Sequence, residues 1–447
     1  MEFDVLKPVF DGKRCVILGF GREGRVWLDI LKRLGCCAEI AVADIKPQDI
    51  KGVTLHCGED YLQSCRGYDL ILQSPGVIIK DFLSPDDKAK ILTQTELLLR
   101  LKPCRIIGIT GTKGKSTTSA LIHHFLSRCG FNSMLVGNIG VPPLERLEEM
   151  SADTVAVCEM SCHQLEFVRH SPNIAVLLNI FPEHLDHYVS FEAYAQAKRN
   201  ICRFQGAGDT TIVNSDISVE SSGKLVTAAF GKPAEIWTDG EKIVHFGKEI
   251  PRGDIHTKLR GKHNLYNVAV ALTAAVTAGA KLNECLEALK SFDGLEHRLE
   301  YVATVNGVEY INDSISTIPE ASIAAVKAFD DTDCLILGGM DRGIPYDILG
   351  DFLNTGIVGN VILLPDSGKR IGALIANSEV NVVHARNMEQ AVSEAAKCAK
   401  RRVILSPAAA SYGFYKNFEE RGRHFKQLIK NIQYITGNHQ KEGSNDR

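Results

Sequence analysis

The stretch Arg105-Ile106-Ile107-Gly108-Ile109-Thr110-Gly111-Thr112-Lys113-Gly114-Lys115-Ser116-Thr117-Thr118 decides how the rest of the chain is read. Its first five residues, Arg105 to Ile109, are mostly apolar and β-branched, which predicts a strand. Leu121, Ile122, Phe125 and Leu126 then recur at helical spacing, which predicts an amphipathic helix. The turn between them ends in Gly-Lys-Ser. Glycines let backbone N–H groups close around phosphate oxygens, and a helix start adds positive potential. Lys115 supplies a point charge and the Ser116 hydroxyl is a ligand for Mg²⁺. A nucleotide triphosphate cradle is therefore expected. It departs from the general P-loop spacing in one respect: Ile109 stands where the leading glycine belongs, and Gly108 lies one place earlier. A glycine-rich turn that binds nothing is the plain alternative, but a Gly-Lys-Ser set between a strand and a helix is a demanding coincidence.

Outward from this turn the same strand-then-helix rhythm repeats, which predicts an α/β protein with mainly parallel sheets. Upstream, Cys15 to Leu18 reads as a strand, followed by Gly19-Phe20-Gly21-Arg22-Glu23-Gly24, a helix ending near Gly35, and a second strand, Ala38 to Ala43, closed by Asp44. Alone, this G-x-G-x-x-G pattern with a downstream acid would predict a dinucleotide site. A further strand, Leu70 to Leu72, runs into the turn Ser74-Pro75-Gly76. Downstream of the central turn, a helix is expected from an N-cap at Asn264 to about Ala278. The short alternating runs between Lys224 and Lys258 read as a small antiparallel insertion. From Leu295 another open α/β sheet is expected, with strands at Val308 to Ile311, Cys334 to Leu337, Val361 to Leu364 and Val403 to Leu405. The expected domains are residues 1–95, 96–294 and 295–447.

The bulk properties narrow the function. With 51 basic and 54 acidic residues in 447, the formal net charge is -3, so no single-signed field suggests a nucleic-acid or membrane-surface partner. No apolar run approaches the roughly 20 residues that cross a bilayer. The 13 cysteines include no C-x-x-C pair, which argues against a zinc site and fits free thiols in a reducing compartment. Small-molecule chemistry in the cytoplasm is expected.

Further chemistry sits at other strand ends. The strand Thr154 to Cys158 delivers Glu159, a carboxylate suited to the metal that Ser116 would hold. The strand Ile174 to Leu178 ends in Asn179-Ile180-Phe181-Pro182-Glu183-His184-Leu185-Asp186-His187, a crowd of imidazoles and carboxylates able to hold a cation or a phosphate. Lys198 follows on a helix expected from Phe191 to Phe204, where composition and spacing give it no special standing and a lone helical lysine reads as a solvated surface residue.

The order of these motifs resembles that of the Mur ligase family over essentially the full length. The resemblance is carried by the GITGTKGKSTT loop, Gly137-Asn138-Ile139-Gly140, Glu159-Met160-Ser161-Cys162-His163-Gln164-Leu165, Asn179 to Tyr188, Lys198, Gly261-Lys262-His263-Asn264-Leu265-Tyr266-Asn267, Gly294-Leu295-Glu296-His297-Arg298, Asn312-Asp313-Ser314 and the segments Leu405 to Ser411 and Lys416 to Gly422. It implies three domains: a Rossmann-like N-terminal domain holding a UDP-sugar rather than NAD, a central P-loop-type mononucleotide-binding domain holding ATP, and a Rossmann-like C-terminal domain holding the incoming amino acid. By position it assigns Gly21, Arg22, Glu23, Asp44, Lys46, Ser74, Pro75, Gly76, Asn138 and His184 to the UDP-sugar. ATP would meet Gly111, Thr112, Lys113, Gly114, Lys115, Ser116, Thr117, Thr118, Asn267, Arg298 and Asp313. Lys115, Glu159, His184 and Lys198 would be catalytic. Two Mg²⁺ ions would be held by Ser116, Glu159, His184 and a carbamylated Lys198.

Arg342, Ser411 and Phe418 would meet the amino acid. The implied reaction joins glutamate to UDP-N-acetylmuramoyl-L-alanine with ATP, by way of an acyl phosphate, in a monomeric enzyme of peptidoglycan synthesis. D-Glutamate is the expected enantiomer. Ile315 and Arg342 stand where D-glutamate-adding relatives carry lysines, which leaves L-glutamate as an alternative, beside another ligase of the Mur or folylpolyglutamate type. A nucleotide-binding switch without ligase chemistry is the distant alternative.

Overall fold

The computed structural model describes residues 2–79, 82–183, 187–259, 261–329 and 331–442, with side chains described as far as residue 432. The chain divides into two compact units, residues 1–257 with 261–292, and residues 258–260 with 293–447.

The first unit carries two sheets. Strands β1 (Arg14–Leu18), β2 (Glu39–Asp44), β3 (Thr54–Cys57), β4 (Leu70–Gln73) and β5 (Ile91–Leu92) form a parallel sheet in the order β3-β2-β1-β4-β5. Cys15, Val16, Ile17 and Leu18 of β1 are wholly buried, as expected of a strand covered on both faces. Helix α1 (Arg22–Leu34) turns Trp27, Ile30, Leu31 and Leu34 inward at helical spacing and ends at Gly35, whose φ of 59° suits a residue without Cβ. Helix α2 (Gln94–Leu101), capped by the Thr93 side chain on the N–H of Glu96, leads into the second sheet.

That sheet contains β6 (Arg105–Thr110), β7 (Asn132–Gly137), β8 (Thr154–Glu159), β9 (Ile174–Leu177), β10 (Thr210–Asn214), β11 (Lys224–Phe230), β12 (Ile236–Thr238), β13 (Lys242–His245) and β14 (Lys248–Pro251), in the order β14-β13-β12-β11-β10-β9-β6-β8-β7. The expected antiparallel insertion is therefore only partly antiparallel and is not separate. β11 runs parallel to β10 and to β12, and only β12, β13 and β14 alternate in direction. Short alternating runs do not reveal which neighbour a strand finds. Helices α3 (Lys115–Arg128), α4 (Phe191–Arg203) and α5 (Lys262–Thr277) pack against this sheet. Helix α5 starts three residues before the expected position: its N-cap is Gly261, at φ 87°, and Asn264 is its third residue, donating its N–H to the Gly261 carbonyl.

The second unit holds β15 (Glu300–Val305), β16 (Val308–Asn312), β17 (Cys334–Gly339), β18 (Asn360–Asp366), β19 (Asn381–His384) and β20 (Arg402–Leu405), in the order β15-β16-β20-β17-β18-β19. All neighbours are parallel except β15 with β16. Helix α6 (Phe418–Glu442) follows, with Phe425 and Ile429 buried in the core beside β15 and β16. All 13 cysteines are free thiols.

Candidate active site

In an open parallel sheet, ligands bind beyond the carboxyl ends of the strands where the chain order reverses direction across the sheet. In the nine-stranded sheet that point is β6, flanked by β8 and β9. The Gly-Lys-Ser turn leaves β6 there, Glu159 ends β8, and Asn179 follows β9. Asn179 secures the turn from below: its carbonyl accepts the N–H of Thr112 at 2.9 Å and its side-chain oxygen accepts the N–H of Lys113 at 2.8 Å. The Thr112 hydroxyl joins the Tyr194 hydroxyl at 2.8 Å and accepts the Phe181 N–H at 2.9 Å. Lys113 is exposed and pairs with Glu183 at 2.6 Å. Gly114 has φ 88°, and a Cβ there would stand 2.6 Å from the Asn267 Oδ1, so this residue must be glycine, and Asn267 lies against the turn. Ser116 and Thr117 open α3 with partial exposure, whereas Thr118 is buried and donates its N–H to the Gly114 carbonyl.

Two lysines converge on this turn. The Lys115 ammonium donates to the carbonyls of Gly111 and Thr112 at 2.9 and 3.1 Å. The Lys198 ammonium donates to the same Gly111 carbonyl at 2.9 Å and lies 4.9 Å from the centre of the Tyr194 ring. Lys198 is only 1% exposed, so the surface position expected of a lone helical lysine is wrong. Helix α4 turns it inward with Tyr194, Ala195, Ala197 and Ile201. Burial, and then the neighbouring Lys115 charge, lower its pKa to about 8, and burial also lowers that of Lys115. Glu159, 1% exposed, accepts from Asn138 at 2.7 Å through Oε1, while its buried Oε2 has no partner among the described residues.

The first sheet reverses at β1, between β2 and β4. The Ser74 hydroxyl donates to the Gly19 carbonyl at 2.7 Å, joining the turns that follow β4 and β1. Asp44 uses both carboxylate oxygens on backbone, accepting the N–H groups of Phe20 at 2.6 Å and Lys46 at 2.8 Å. Gly21 caps α1. Arg22 and Glu23 reach toward the second sheet: Arg22 donates to the Gly140 carbonyl at 2.9 Å, and Glu23 accepts from the Gln164 amide at 3.0 Å. A cleft of about 350 Å³ brings the two sheets' turns together, lined by Pro75 and Gly76 on one side and Lys115, Asn138, Ser161, Cys162, His163, Glu183 and Lys198 on the other. His184 lies outside the described residues.

Comparison with known proteins bears on what this cleft serves. Residues 109–275 match the Mur ligase middle domain. The chain is 32% identical over 96% of its length to the UDP-N-acetylmuramoylalanine--D-glutamate ligase of Acetivibrio thermocellus, of which it covers 98%, and 34% identical over 94% of its length to that of Koribacter versatilis, again covering 98%. The chain belongs to the Mur ligase family. Its fold is also similar to that of the UDP-N-acetylmuramate-alanine ligase MurC of Thermotoga maritima, with a TM-score of 0.59 at 16% identity over 94% of this chain and 99% of that one. The MurF ligase of the same organism, solved with ADP, gives 0.57 at 15% identity over 95% and 97%.

The remaining predicted residues of this Mur ligase lie in its second unit. Asp313, just beyond β16, is 3% exposed and accepts from Ser316 at 2.6 Å, Ser406 at 2.7 Å and the Leu299 N–H at 3.1 Å; burial raises its pKa to about 6. Arg298 is exposed, and Arg342, also exposed, donates to the Thr317 carbonyl at 2.8 Å. Ser411 is buried, and the Phe418 carbonyl accepts from Ser314 at 2.8 Å.

Three features escaped sequence reasoning. Ser161 and Gln164 form a capping box, a signal readable from their spacing, and it displays Ser161, Cys162 and His163 on the cleft wall. Tyr194 carries the floor under Lys198. Arg421, 1% exposed, donates to the Ser314 hydroxyl and carbonyl and to the Ala409 carbonyl, and burial lowers its pKa to about 10. Nothing in its sequence surroundings marks an arginine that enters a core with no carboxylate partner among the described residues.

Proposed function

We propose that this Mur ligase adds D-glutamate to UDP-N-acetylmuramoyl-L-alanine, with ATP as energy source and ADP and phosphate as products, in the cytoplasm as a step of peptidoglycan synthesis. The D-glutamate reading rests on relatives of that name matched over nearly their whole length. The observation that carries the chemistry is the shared cleft: Pro75 and Gly76 of the sugar-nucleotide sheet face Lys115 and Lys198 of the triphosphate loop across one cavity.

Glu159 fits a magnesium ligand by its own geometry. One oxygen is fixed by Asn138, and the other is buried without a partner, an arrangement that costs free energy unless a cation or donor completes it. With the Ser116 hydroxyl it makes an all-oxygen donor set, which suits Mg²⁺. A second ion would be held by His184 and by Lys198 as its carbamate. Bound magnesium supplies positive charge that screens the phosphate oxygens from an incoming carboxylate.

Lys115 holds its ammonium at the mouth of the loop, where β- and γ-phosphates would lie, and its burial makes that charge act at low dielectric. The lowered pKa of Lys198 leaves about a tenth of it as free amine at pH 7, and only the free amine adds CO₂ to become an anion. The lactyl-alanine carboxylate then attacks the γ-phosphorus, ADP leaves, and the acyl phosphate accepts the amine of glutamate, releasing phosphate and forming the amide. Arg298 and Asp313 are assigned to ATP, and Arg342, Ser411 and Phe418 to the amino acid, by their family positions.

The test is incubation with UDP-N-acetylmuramoyl-L-alanine, ATP, Mg²⁺ and either glutamate enantiomer, followed by product mass. The expected result is a single glutamyl adduct with the D form. An adduct with only the L form, or phosphate release without any adduct, would overturn the reading.

A further inference from the structure

The family positions place Glu23 against the UDP moiety, yet its carboxyl is turned elsewhere. It is the second residue of α1, whose first turn follows Gly19 to Gly21. Its Oε1 accepts from the Gln164 amide at 3.0 Å, and the Gln164 side-chain oxygen accepts the N–H of Ser161 at 2.9 Å. Ser161 lines the cleft. A continuous chain of hydrogen bonds thus runs from the glycine-rich turn of the first sheet to the cleft wall of the second. The Glu23 carbonyl is fixed as well, accepting from Gln94 at 2.9 Å, while the Gln94 side-chain oxygen accepts the Leu144 N–H at 3.2 Å. Its neighbour Arg22 binds the Gly140 carbonyl, two residues beyond the Asn138 that orients Glu159.

We propose that Glu23 is a positioning residue that holds the sugar-nucleotide turn and the Ser161–His163 wall in register through Gln164, and that it does so as the uncharged acid. This rests on the sugar-nucleotide reading given above. Although the residue keeps some exposure overall, its carboxyl Oε2 is buried without a partner among the described residues. The groups facing the carboxyl are few. Gln164 donates one hydrogen bond, the buried Cys158 thiol offers no positive charge, and the Arg22 guanidinium, the one cation acting on it among the described residues, is exposed and turned to the Gly140 carbonyl and Glu145. Burial accordingly outweighs both Gln164 and Arg22 and raises the pKa of Glu23 to about 7.

The direction follows. The Gln164 amide donates to Oε1 in either state, so what changes with pH is the charge: below about pH 7 the acid is neutral. As pH rises through 7 an unmatched negative charge forms under the turn that must receive a diphosphate, so sugar-nucleotide affinity falls. If only the neutral acid is competent, the dissociation constant rises by about tenfold per pH unit once pH exceeds the pKa.

The experiment is calorimetric titration of UDP-N-acetylmuramoyl-L-alanine, without ATP, into the full chain at pH 6.5 and 8.5, for wild type, Glu23→Gln and Glu23→Ala. The ligand's diphosphate diester and carboxylate do not titrate in that window. The expected ratio of dissociation constants, pH 8.5 over pH 6.5, is at least about fivefold for wild type and close to one for Glu23→Gln, which keeps the acceptor toward Gln164 but cannot ionise. Glu23→Ala should bind more weakly than Glu23→Gln at both pH values. A Glu23→Gln ratio equal to that of wild type, or a Glu23→Ala affinity equal to that of Glu23→Gln, would overturn the inference alone. Absence of binding by wild type at both pH values would overturn the sugar-nucleotide reading, and the inference with it.

Discussion

The two glycine-rich turns of the first unit share a backbone plan and differ in side-chain chemistry. Each leaves a buried parallel strand at the reversal point of its sheet and enters a helix, α1 after β1 and α3 after β6. The turn after β6 gathers a buried lysine, Lys198, and a half-buried one, Lys115, on one carbonyl, that of Gly111. The turn after β1 gathers a buried carboxyl and sends its arginine to a neighbouring loop. On the function proposed above, both would meet phosphates through backbone N–H groups, and only the one with lysines would bring charge to them, which would place transfer chemistry at β6 and anchoring at β1.

The largest effect that would break this division is at Lys198. Lys198→Ala is expected to lower kcat by about 10³-fold or more, roughly 4 kcal/mol of barrier. Formate or acetate should restore part of it, since a small carboxylate can enter the space left by a carbamate. Full activity without added acid would show that the lysine has no part in the reaction. Next, Lys115→Met should lower kcat/KM for ATP by about 10²- to 10³-fold, leaving affinity for the sugar nucleotide within about threefold, roughly 0.65 kcal/mol, of wild type; equal losses for both ligands would blur the distinction between the turns.

A smaller effect sharpens the comparison through backbone alone. Gly114→Ala places a Cβ at φ 88° and 2.6 Å from Asn267, and should cost about 1–3 kcal/mol of stability by thermal or denaturant unfolding. Gly21→Ala meets nothing within 4 Å and has no positive φ, so its stability should stay within about 0.5 kcal/mol of wild type. Reversed values would mean that the strain lies in the other turn. The smallest effect is on pH. With the Lys198 pKa near 8, its free amine grows from about a tenth at pH 7 to about nine-tenths at pH 9. At fixed dissolved CO₂, recovery of activity after CO₂ depletion should therefore be roughly tenfold faster at pH 9 than at pH 7. A rate independent of pH would mean that deprotonation of Lys198 does not limit carbamate formation.

Strands β1, β4, β6, β8 and β9 were legible because each is a short apolar run closed by a turn residue, and the observed bounds move by a residue at most. The lysine loop was legible because its glycines, lysine and serine are fixed by local geometry. What depended on distant partners was not. β11 reads as an alternating strand, yet it pairs parallel with β10 because the chain between them crosses back before returning. Lys198 reads as exposed because a lone helical lysine is solvated by default; its spacing from Tyr194 and Ile201 puts it on the inward stripe of α4, and the packing of that stripe against the turn buries it. Glu23 reads as a turn residue open to ligand, and its real partner, Gln164, lies 141 positions away. Family resemblance suggests a role for Lys198 but says nothing of the orientation of Glu23, because the second is set by a pair of side chains rather than by a motif.

The central claim is that the cleft activates the sugar-linked carboxylate by phosphorylating it. Its most direct test uses UDP-N-acetylmuramoyl-L-alanine carrying ¹⁸O in both carboxylate oxygens, with ATP, Mg²⁺ and D-glutamate. One ¹⁸O per turnover is expected in the released phosphate, carried across by the acyl phosphate. Amide formation with no ¹⁸O in the phosphate would contradict the account.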